Sequence, residues 1–228
     1  MLRRILVFNL TLASCVLSLS MSVMACACCA GPGLYFLRTG KPSAYELGLL
    51  KEMEFSSPGK LYITEAGFDM IKGLDDLKSG ADGDEFLRGG GGLNLVESFT
   101  GKLWRLEFRT PGGKRGVLTL PLPTHMVTFK VDIHDEPDDK PNGPSLYKEF
   151  RFKGNVSGGT GIFRSSVLRP STYFLVFQGR GNGCDNASDF THWRLEINGA
   201  RAQYAFYGEL ESGAVYDAVE PKMPMILQ

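Results

Sequence analysis

Three cysteines within four residues form the most unusual group of reactive side chains in the sequence. They are Cys26, Cys28 and Cys29, and the next cysteine along the chain is Cys184. An oxidising compartment favours a disulfide between Cys184 and Cys28 or Cys29, so we predict this pairing and no cofactor. The alternative is a copper or zinc site, because thiolates bind soft ions and four of them complete a tetrahedral site. Without a second closely spaced cysteine pair, the spacing leaves both interpretations open.

His125 is a candidate ligand-binding residue. It is in phase with Val127 and Phe129, which alternate with polar residues, so we expect its side chain to face the interior or the mouth of a barrel. A histidine in such a position most often makes only structural hydrogen bonds. If the interior holds a ligand, His125 is the histidine predicted to contact it.

A catalytic grouping can be drawn around Cys184. His192 follows it by eight residues, and Asp185 and Asp189 lie between them. An imidazole beside a thiol activates it as a nucleophile, and a carboxylate orients the imidazole. The grouping requires a reduced Cys184 and therefore competes with the disulfide. It is too weak a pattern to predict an enzyme, so catalytic activity is left open.

Two further patterns predict loops rather than sites. The segment 132–139 carries enough carboxylates to hold calcium, but their order does not match an EF-hand loop, so we expect a solvated turn. The glycine-rich segment Gly154–Gly161 lacks the lysine of a phosphate-binding loop, and no helical pattern follows it. Neither pattern therefore adds a candidate site.

The N-terminus has the features of a secretory signal. Two arginines precede a mostly apolar stretch from Ile5 to Met24, and small residues follow. Residues 1–25 are predicted to be a signal peptide, with the cleavage site between 25 and 30, and an uncleaved membrane anchor is the alternative. Val23-Met24-Ala25-Cys26 also resembles the lipobox of bacterial lipoproteins, which would place a lipid on Cys26. We therefore predict an extracytoplasmic protein that is periplasmic or secreted, with a lipid-anchored form as the alternative.

Composition and charge restrict the partners. The 228 residues include 25 basic and 25 acidic side chains. The chain therefore has no net positive charge that would attract nucleic acid. Membrane contact is predicted only through the signal peptide or the lipid on Cys26. Hydrophobic residues make up 43% of the chain, enough for a packed core, and 28 glycines with 12 prolines indicate many turns. We predict a single β-rich domain over residues 26–228.

The elements that must position these residues are mainly strands. Several segments alternate apolar and polar residues, and their apolar members include Trp104, Leu106, Phe108, Phe150, Phe152, Trp193, Leu195 and Ile197. Tyr173–Phe177 is a continuous apolar run, typical of a central strand covered on both faces. Apolar residues at helical spacing predict a helix over Gly67–Lys78. The predicted fold is a single antiparallel β-barrel or sandwich of roughly eight strands with one short helix, and a calycin-like barrel is preferred.

Three functions are compatible with these features. The first is a secreted or periplasmic β-barrel protein with a binding or structural role and no evident catalysis, which could hold a small apolar ligand. The second is a soft-metal or redox protein that uses Cys26-Ala27-Cys28-Cys29. The third is an enzyme that acts on a small molecule inside the barrel. The apolar strand faces and the lack of a convincing catalytic set favour the first.

Overall fold

The computed structural model describes residues 35–62, 67, 70–78, 86, 89–133 and 145–212. This part of the chain contains two α-helices, α1 (Ala44–Glu52) and α2 (Asp75–Lys78), and twelve β-strands. In chain order the strands are β1 (Tyr35–Gly40), β2 (Met53–Phe55), β3 (Gly59–Leu61), β4 (Gly92–Thr100), β5 (Leu103–Arg109), β6 (Arg115–Pro121), β7 (Met126–Val131), β8 (Leu146–Asn155), β9 (Gly158–Gly161), β10 (Ser171–Gly181), β11 (Phe190–Gly199) and β12 (Ala202–Ser212). The chain is therefore mainly β, as the alternating sequence segments predict.

The twelve strands belong to one antiparallel sheet. Their order is β1-β7-β8-β10-β11-β12-β3-β4-β5-β6-β9, and β2 pairs with β12 beyond β3. In the described part of the chain the two ends of this path, β1 and β9, do not pair with each other, so the sheet is not closed. The antiparallel class is confirmed, and the sheet has twelve strands where the sequence predicted roughly eight.

Alternation along the strands places the apolar residues in the core. On β5, Trp104, Leu106 and Phe108 are fully buried, and the predicted apolar residues of β8 and β11 are buried as well. The run Tyr173–Phe177 lies on β10, between β8 and β11. Its outward residue Val176 is only 1% exposed, whereas the outward residue Phe174 is partly buried, so the outer face of this central strand is covered only in part.

Aromatic rings from strands that are far apart in the sheet order meet in the core. The ring of Trp104 on β5 lies 5.2 Å from Phe152 on β8 and 6.2 Å from Phe177 on β10. Further along the same strand, Phe108 stacks on Phe206 of β12 with their centroids 4.6 Å apart. Strands β5, β8, β10 and β12 therefore contribute to one aromatic core.

The helices differ from the sequence prediction. Helix α2 covers only Asp75–Lys78, so the predicted helix over Gly67–Lys78 is confirmed in its last turn and is wrong for residues 71–74. Lys72 instead forms a bridge with Gln203 at β12, and Gly73 has a φ of 93°, which an α-helix does not allow. Leu74 and Leu77 still bury their side chains, so the apolar spacing reports core packing rather than a long helix.

Helix α1 is stabilised at its start by a capping box. The Ser43 hydroxyl accepts a hydrogen bond from the Glu46 backbone N–H at 3.2 Å, and the Glu46 carboxylate accepts one from the Ser43 N–H at 2.7 Å. This reciprocal pair satisfies two backbone donors that a helix N-terminus otherwise leaves unpaired. Across the described residues, neither helix has the length and apolar character needed to cross a membrane.

Candidate functional site

Strands β11 and β12 carry polar and aromatic side chains on the outer face of the sheet, opposite the core. Burial of Leu195 and Ile197 directs the alternate residues of β11 outward. The register sets three outward pairs side by side, which are Arg194 with Tyr207, Glu196 with Ala205, and Asn198 with Gln203. Because alanine has the smallest of these side chains, the surface dips at the middle pair.

This depression belongs to a cleft of about 530 Å³, which we call the tyrosine cleft after Tyr62 and Tyr207. Tyr62 and Ile71 line it from outside β12. The Tyr62 N–H donates to the Ala205 carbonyl at 2.8 Å, and the Gln203 N–H donates to the Lys72 carbonyl at 3.1 Å. Both sides of the cleft are therefore held to β12 by backbone hydrogen bonds.

Two tyrosine rings in the tyrosine cleft are open to solvent. Tyr62 is 75% exposed and Tyr207 is 42% exposed, and their rings meet edge to face with centroids 6.1 Å apart. Such rings present a flat apolar surface together with a hydroxyl group. Adjacent exposed aromatic residues, set in a depression rather than scattered, are typical of a surface that binds something.

The polar groups of the tyrosine cleft are accessible to a ligand. Arg194 Nε lies 3.1 Å from Glu196 Oε1, and their side chains are 50% and 37% exposed. An exposed ion pair contributes little to stability, so these groups can exchange partners at small cost. Asn198 and Gln203 add amides that both donate and accept hydrogen bonds. The cleft therefore combines ring stacking with directional polar contacts, which is the chemistry of binding.

A second cleft, of about 300 Å³, adjoins the first along β12, and Tyr207 lines both. We call it the histidine cleft after His192, which lies opposite Glu209 in the register. His192 Nδ1 is 2.8 Å from Thr191 Oγ1. Lys60, opposite Tyr207 on β3, supplies a cation. The two clefts therefore form one continuous surface along the outer face of β12, with Tyr207 between them.

The weak catalytic grouping drawn around Cys184 is not assembled in the described part of the chain. His192 is exposed on the outer face and lines the histidine cleft. Asp189 instead contacts Lys148, which lies on the inner face of β8. His192 therefore lies on the outer face, whereas Asp185 and Asp189 both contact Lys148 on the inner face of β8.

Asp185 and Asp189 belong to a different group, the lysine cluster, which consists of Lys130, Lys148, Asp185 and Asp189. Lys148 is 1% exposed, and its Nζ lies 2.6 Å from Asp189 Oδ2 and 3.6 Å from Asp185 Oδ1. It also donates to the Cys184 carbonyl. Lys130 Nζ lies 2.9 Å from Asp185 Oδ2. Sequence reasoning missed Lys148, although its phase with Phe150 and Phe152 marks it as a lysine on an apolar strand face.

The cysteine predictions remain predictions. Cys26, Cys28 and Cys29 lie outside the described residues, and Cys184 is exposed in the loop before β11. Within the described ranges, no group of three or more histidine, cysteine, aspartate or glutamate side chains is placed to hold a metal ion. Most of the acidic segment 132–139 also lies outside the described residues.

The predicted inward orientation of His125 is wrong. His125 is exposed, and its Nδ1 lies 3.0 Å from Thr124 Oγ1. The buried face of β7 carries Met126 and Thr128 instead. Phe129, the residue that suggested the opposite phase, lies on the outer face, where the Arg151 guanidinium covers its ring at 5.0 Å. Its role as a ligand-binding residue remains a prediction.

Glu97 is a second group that sequence reasoning missed. It is in phase with Leu93 and Leu95 on β4, and its Oε1 is buried with no hydrogen-bond partner among the described residues. Burial, with a smaller contribution from the nearby Glu54 carboxylate, raises the pKa of Glu97 from 4.5 to about 7. The signal in the sequence was again a charged residue in phase with buried apolar ones.

Comparison with known proteins finds no matching family model, curated protein or solved structure. The function of the clefts is therefore inferred from their chemistry alone.

Proposed function

We propose that this protein is an extracytoplasmic binding protein that holds a small amphipathic molecule in the tyrosine cleft and performs no catalysis there. The observation that carries the proposal is the pair of exposed tyrosines beside Arg194, Glu196 and two amides in one cleft of about 530 Å³. A pocket of this size accommodates a small ligand. The ligand lies on the outside of the sheet, because aromatic side chains fill the space between its two halves.

The chemistry of the cleft fits a ligand with a flat apolar face and several hydroxyl groups, such as a sugar ring. A tyrosine ring packs against the C–H face of such a ring, and Arg194, Glu196, Asn198 and Gln203 supply donors and acceptors for its hydroxyls. A purely apolar ligand would leave those polar groups without partners, which costs binding free energy. We therefore favour an amphipathic ligand over the apolar one that the sequence suggested.

The location and the fold are part of the same proposal. The arginines, the apolar stretch and the small residues near the N-terminus support export. The ring contacts from β5 to β8, β10 and β12 support a sandwich-like arrangement of the curled sheet over a closed barrel. Balanced charge supports a small molecule rather than nucleic acid as the partner.

Binding of soluble oligosaccharides to the purified mature protein tests the proposal. The probes are short oligomers of glucose, mannose and N-acetylglucosamine, measured by isothermal titration calorimetry. We expect at least one to bind and expect Tyr207→Ala to weaken it by about tenfold or more, the loss of one aromatic contact. Tyr35→Ala is the matched control, because Tyr35 is also exposed but lies on the edge strand β1.

The apolar alternative is tested with the same proteins and a hydrophobic fluorescent dye. Dye binding that Tyr207→Ala abolishes, in the absence of any binding to the oligosaccharides, would overturn the amphipathic assignment and keep the cleft as the site. Equal oligosaccharide binding by the wild type, Tyr207→Ala and Tyr35→Ala would place the site elsewhere.

A further inference from the structure

We propose that Lys148 and Asp189 become joined by an intramolecular isopeptide bond, and that Asp185 moves the protons during its formation. This modification lies in the lysine cluster and is independent of ligand binding in the tyrosine cleft. It would tie the central strand β8 covalently to the loop that precedes β11.

The reacting groups lie close together. Lys148 Nζ is 2.6 Å from Asp189 Oδ2, so the carboxyl carbon of Asp189 lies only one C–O bond beyond that contact. The Lys148 side chain is 1% exposed, and the Asp189 side chain is 12% exposed. Effective concentrations on the order of 10⁵ M or higher are reached when reacting groups are held close together and correctly oriented. The cluster supplies the proximity that an attack by the amine on the carboxyl group requires.

Glycines on β10 leave the space that Asp189 occupies. A β-carbon at Gly181 would lie 2.2 Å from the carboxyl carbon of Asp189, and one at Gly179 would lie 1.8 Å from its backbone carbonyl oxygen. No other residue fits at either position without displacing Asp189. The backbone N–H of Asn186 donates to Asp189 Oδ2 at 3.0 Å. The Asn186 N–H thus positions the carboxylate in the space that the two glycines leave open.

The surroundings favour a neutral product. Phe150 and Phe190 pack with centroids 4.4 Å apart, and Leu146 and Ala187 are buried near the same cluster. A buried ion pair loses the hydration of both ions, and its mutual attraction offsets that loss only in part. An amide carries no charge, so forming it removes two charges from an apolar region.

The proposed reaction is a condensation that releases water and requires no oxidant or cofactor. One proton of Lys148 Nζ passes to Asp189 Oδ1, and the lone pair left on the nitrogen attacks the Asp189 carboxyl carbon to form a tetrahedral intermediate with negative charge on Oδ2. A second proton passes from the nitrogen through Asp185, whose Oδ1 lies 3.6 Å from Nζ, to Asp189 Oδ1. The C–Oδ1 bond breaks as the C–N bond is completed, and one water molecule leaves.

Groups already in place stabilise both the intermediate and the product. The Asn186 N–H that donates to Oδ2 faces the oxygen on which negative charge develops, as an oxyanion-hole donor does. In the product this oxygen is the amide carbonyl and keeps the same hydrogen bond. The amide N–H can donate to the Cys184 carbonyl, which Lys148 already contacts. The product therefore leaves neither amide group without a partner.

The mass of the purified mature protein tests the proposal. The full chain is expressed with its own N-terminus, the first residue of the product is determined by peptide mapping, and the intact mass is measured after denaturation and reduction. We expect a mass one water molecule below that of the sequence, and a protease-resistant branched peptide that joins Lys148 to Asp189. A full sequence mass, or a branch between other residues, would overturn the proposal.

Matched variants distinguish the Lys148–Asp189 isopeptide bond from a loss of water elsewhere in the chain. Lys148→Arg keeps a cation but lacks the reactive amine, so it should have the full mass, and Asp185→Asn should retain most of the unreacted form. Lys130→Arg, which preserves the ion pair to Asp185, should lose one water molecule as the wild type does. A lowered mass that persists in Lys148→Arg would contradict the assignment. If Lys148→Arg does not fold, the branched peptide of the wild type decides the question.

Discussion

Replacing Glu97 with glutamine should stabilise the protein above pH 7 and leave its stability near pH 4 almost unchanged. One carboxyl oxygen of Glu97 is buried without a hydrogen-bond partner among the described residues. Burial and the nearby Glu54 carboxylate raise its pKa from 4.5 to about 7. Glutamine has nearly the same shape as glutamate and cannot ionise, so the variant removes the charge alone.

The direction of this pH dependence follows from the number of protons that Glu97 binds in the folded and the unfolded states. Between pH 4.5 and about 7 the folded protein keeps the Glu97 proton while the unfolded chain releases it, so the free energy of unfolding falls as pH rises. A fully buried carboxyl with this displacement would lose about 3 kcal/mol by pH 8. Because Glu97 is partly open to solvent, screening reduces the loss, and we expect about 1 kcal/mol.

The assay is urea denaturation of the wild type and Glu97→Gln at pH 4 and pH 8, compared as differences at each pH. Glu107→Gln is the control. Glu107 lies on β5, and its Oε1 is 2.8 Å from Arg109 Nη2, so its carboxylate has a charged partner that Glu97 lacks. We expect Glu97→Gln to gain about 1 kcal/mol between pH 4 and pH 8 relative to the wild type. An equal difference at both pH values, or a loss at pH 8, would refute the burial argument.

Two further predictions concern the core and the backbone. Trp104→Ala should lower the free energy of unfolding by about 3–5 kcal/mol, because the fully buried indole contacts Phe152 and Phe177, and urea denaturation measures the loss. Gly73→Ala should cost more than about 2 kcal/mol, since its φ is 93° and a β-carbon would lie 2.6 Å from the Arg201 carbonyl oxygen, whereas Gly90→Ala, with a φ of 71° and open space, should cost about 1 kcal/mol. Equal melting temperatures for the two glycine variants would show that the close contact at Gly73 is unimportant.

The strands could be predicted because their alternation is a local property of the sequence. Trp104 and its apolar neighbours on β5 are buried as their spacing indicates. On β7 the sequence did not show which residues face the core, because both faces of this strand carry apolar residues. Phe129 lies on the outer face and is covered by Arg151, and Met126 lies on the inner face. Alternation gives the period of such a strand but does not decide which face meets the core.

The helices show the opposite case, in which tertiary contacts override a local pattern. Apolar spacing over Gly67–Lys78 suggested a helix, yet backbone pairing of Lys72 with Gln203 and the positive φ at Gly73 end any such helix before α2. The start of α1 did have a local signal, the capping-box pair Ser43 and Glu46. The sheet order and its twelve strands depend on distant pairings that no local pattern reveals.

The candidate site could be predicted only in part. Tyr62 and Tyr207 are far apart in the sequence, and they meet because β12 pairs with β3. Lys148 and Glu97 were missed, although a charged residue in phase with buried apolar ones is a signal that could have identified both, since charged residues are rarely buried without a partner. The grouping around Cys184 failed because alternation sends His192 to the other face.

The central claim is that the outer face of β11 and β12 binds an amphipathic ligand, and backbone amide NMR during a titration tests it most directly. The ligand is the oligosaccharide that gives the strongest calorimetric signal. We expect the largest chemical-shift changes at Tyr62, Arg194, Glu196, Ala205 and Tyr207, with β1 and β9 unaffected. Changes centred on any other surface, or none for any oligosaccharide at millimolar concentration, would contradict the account.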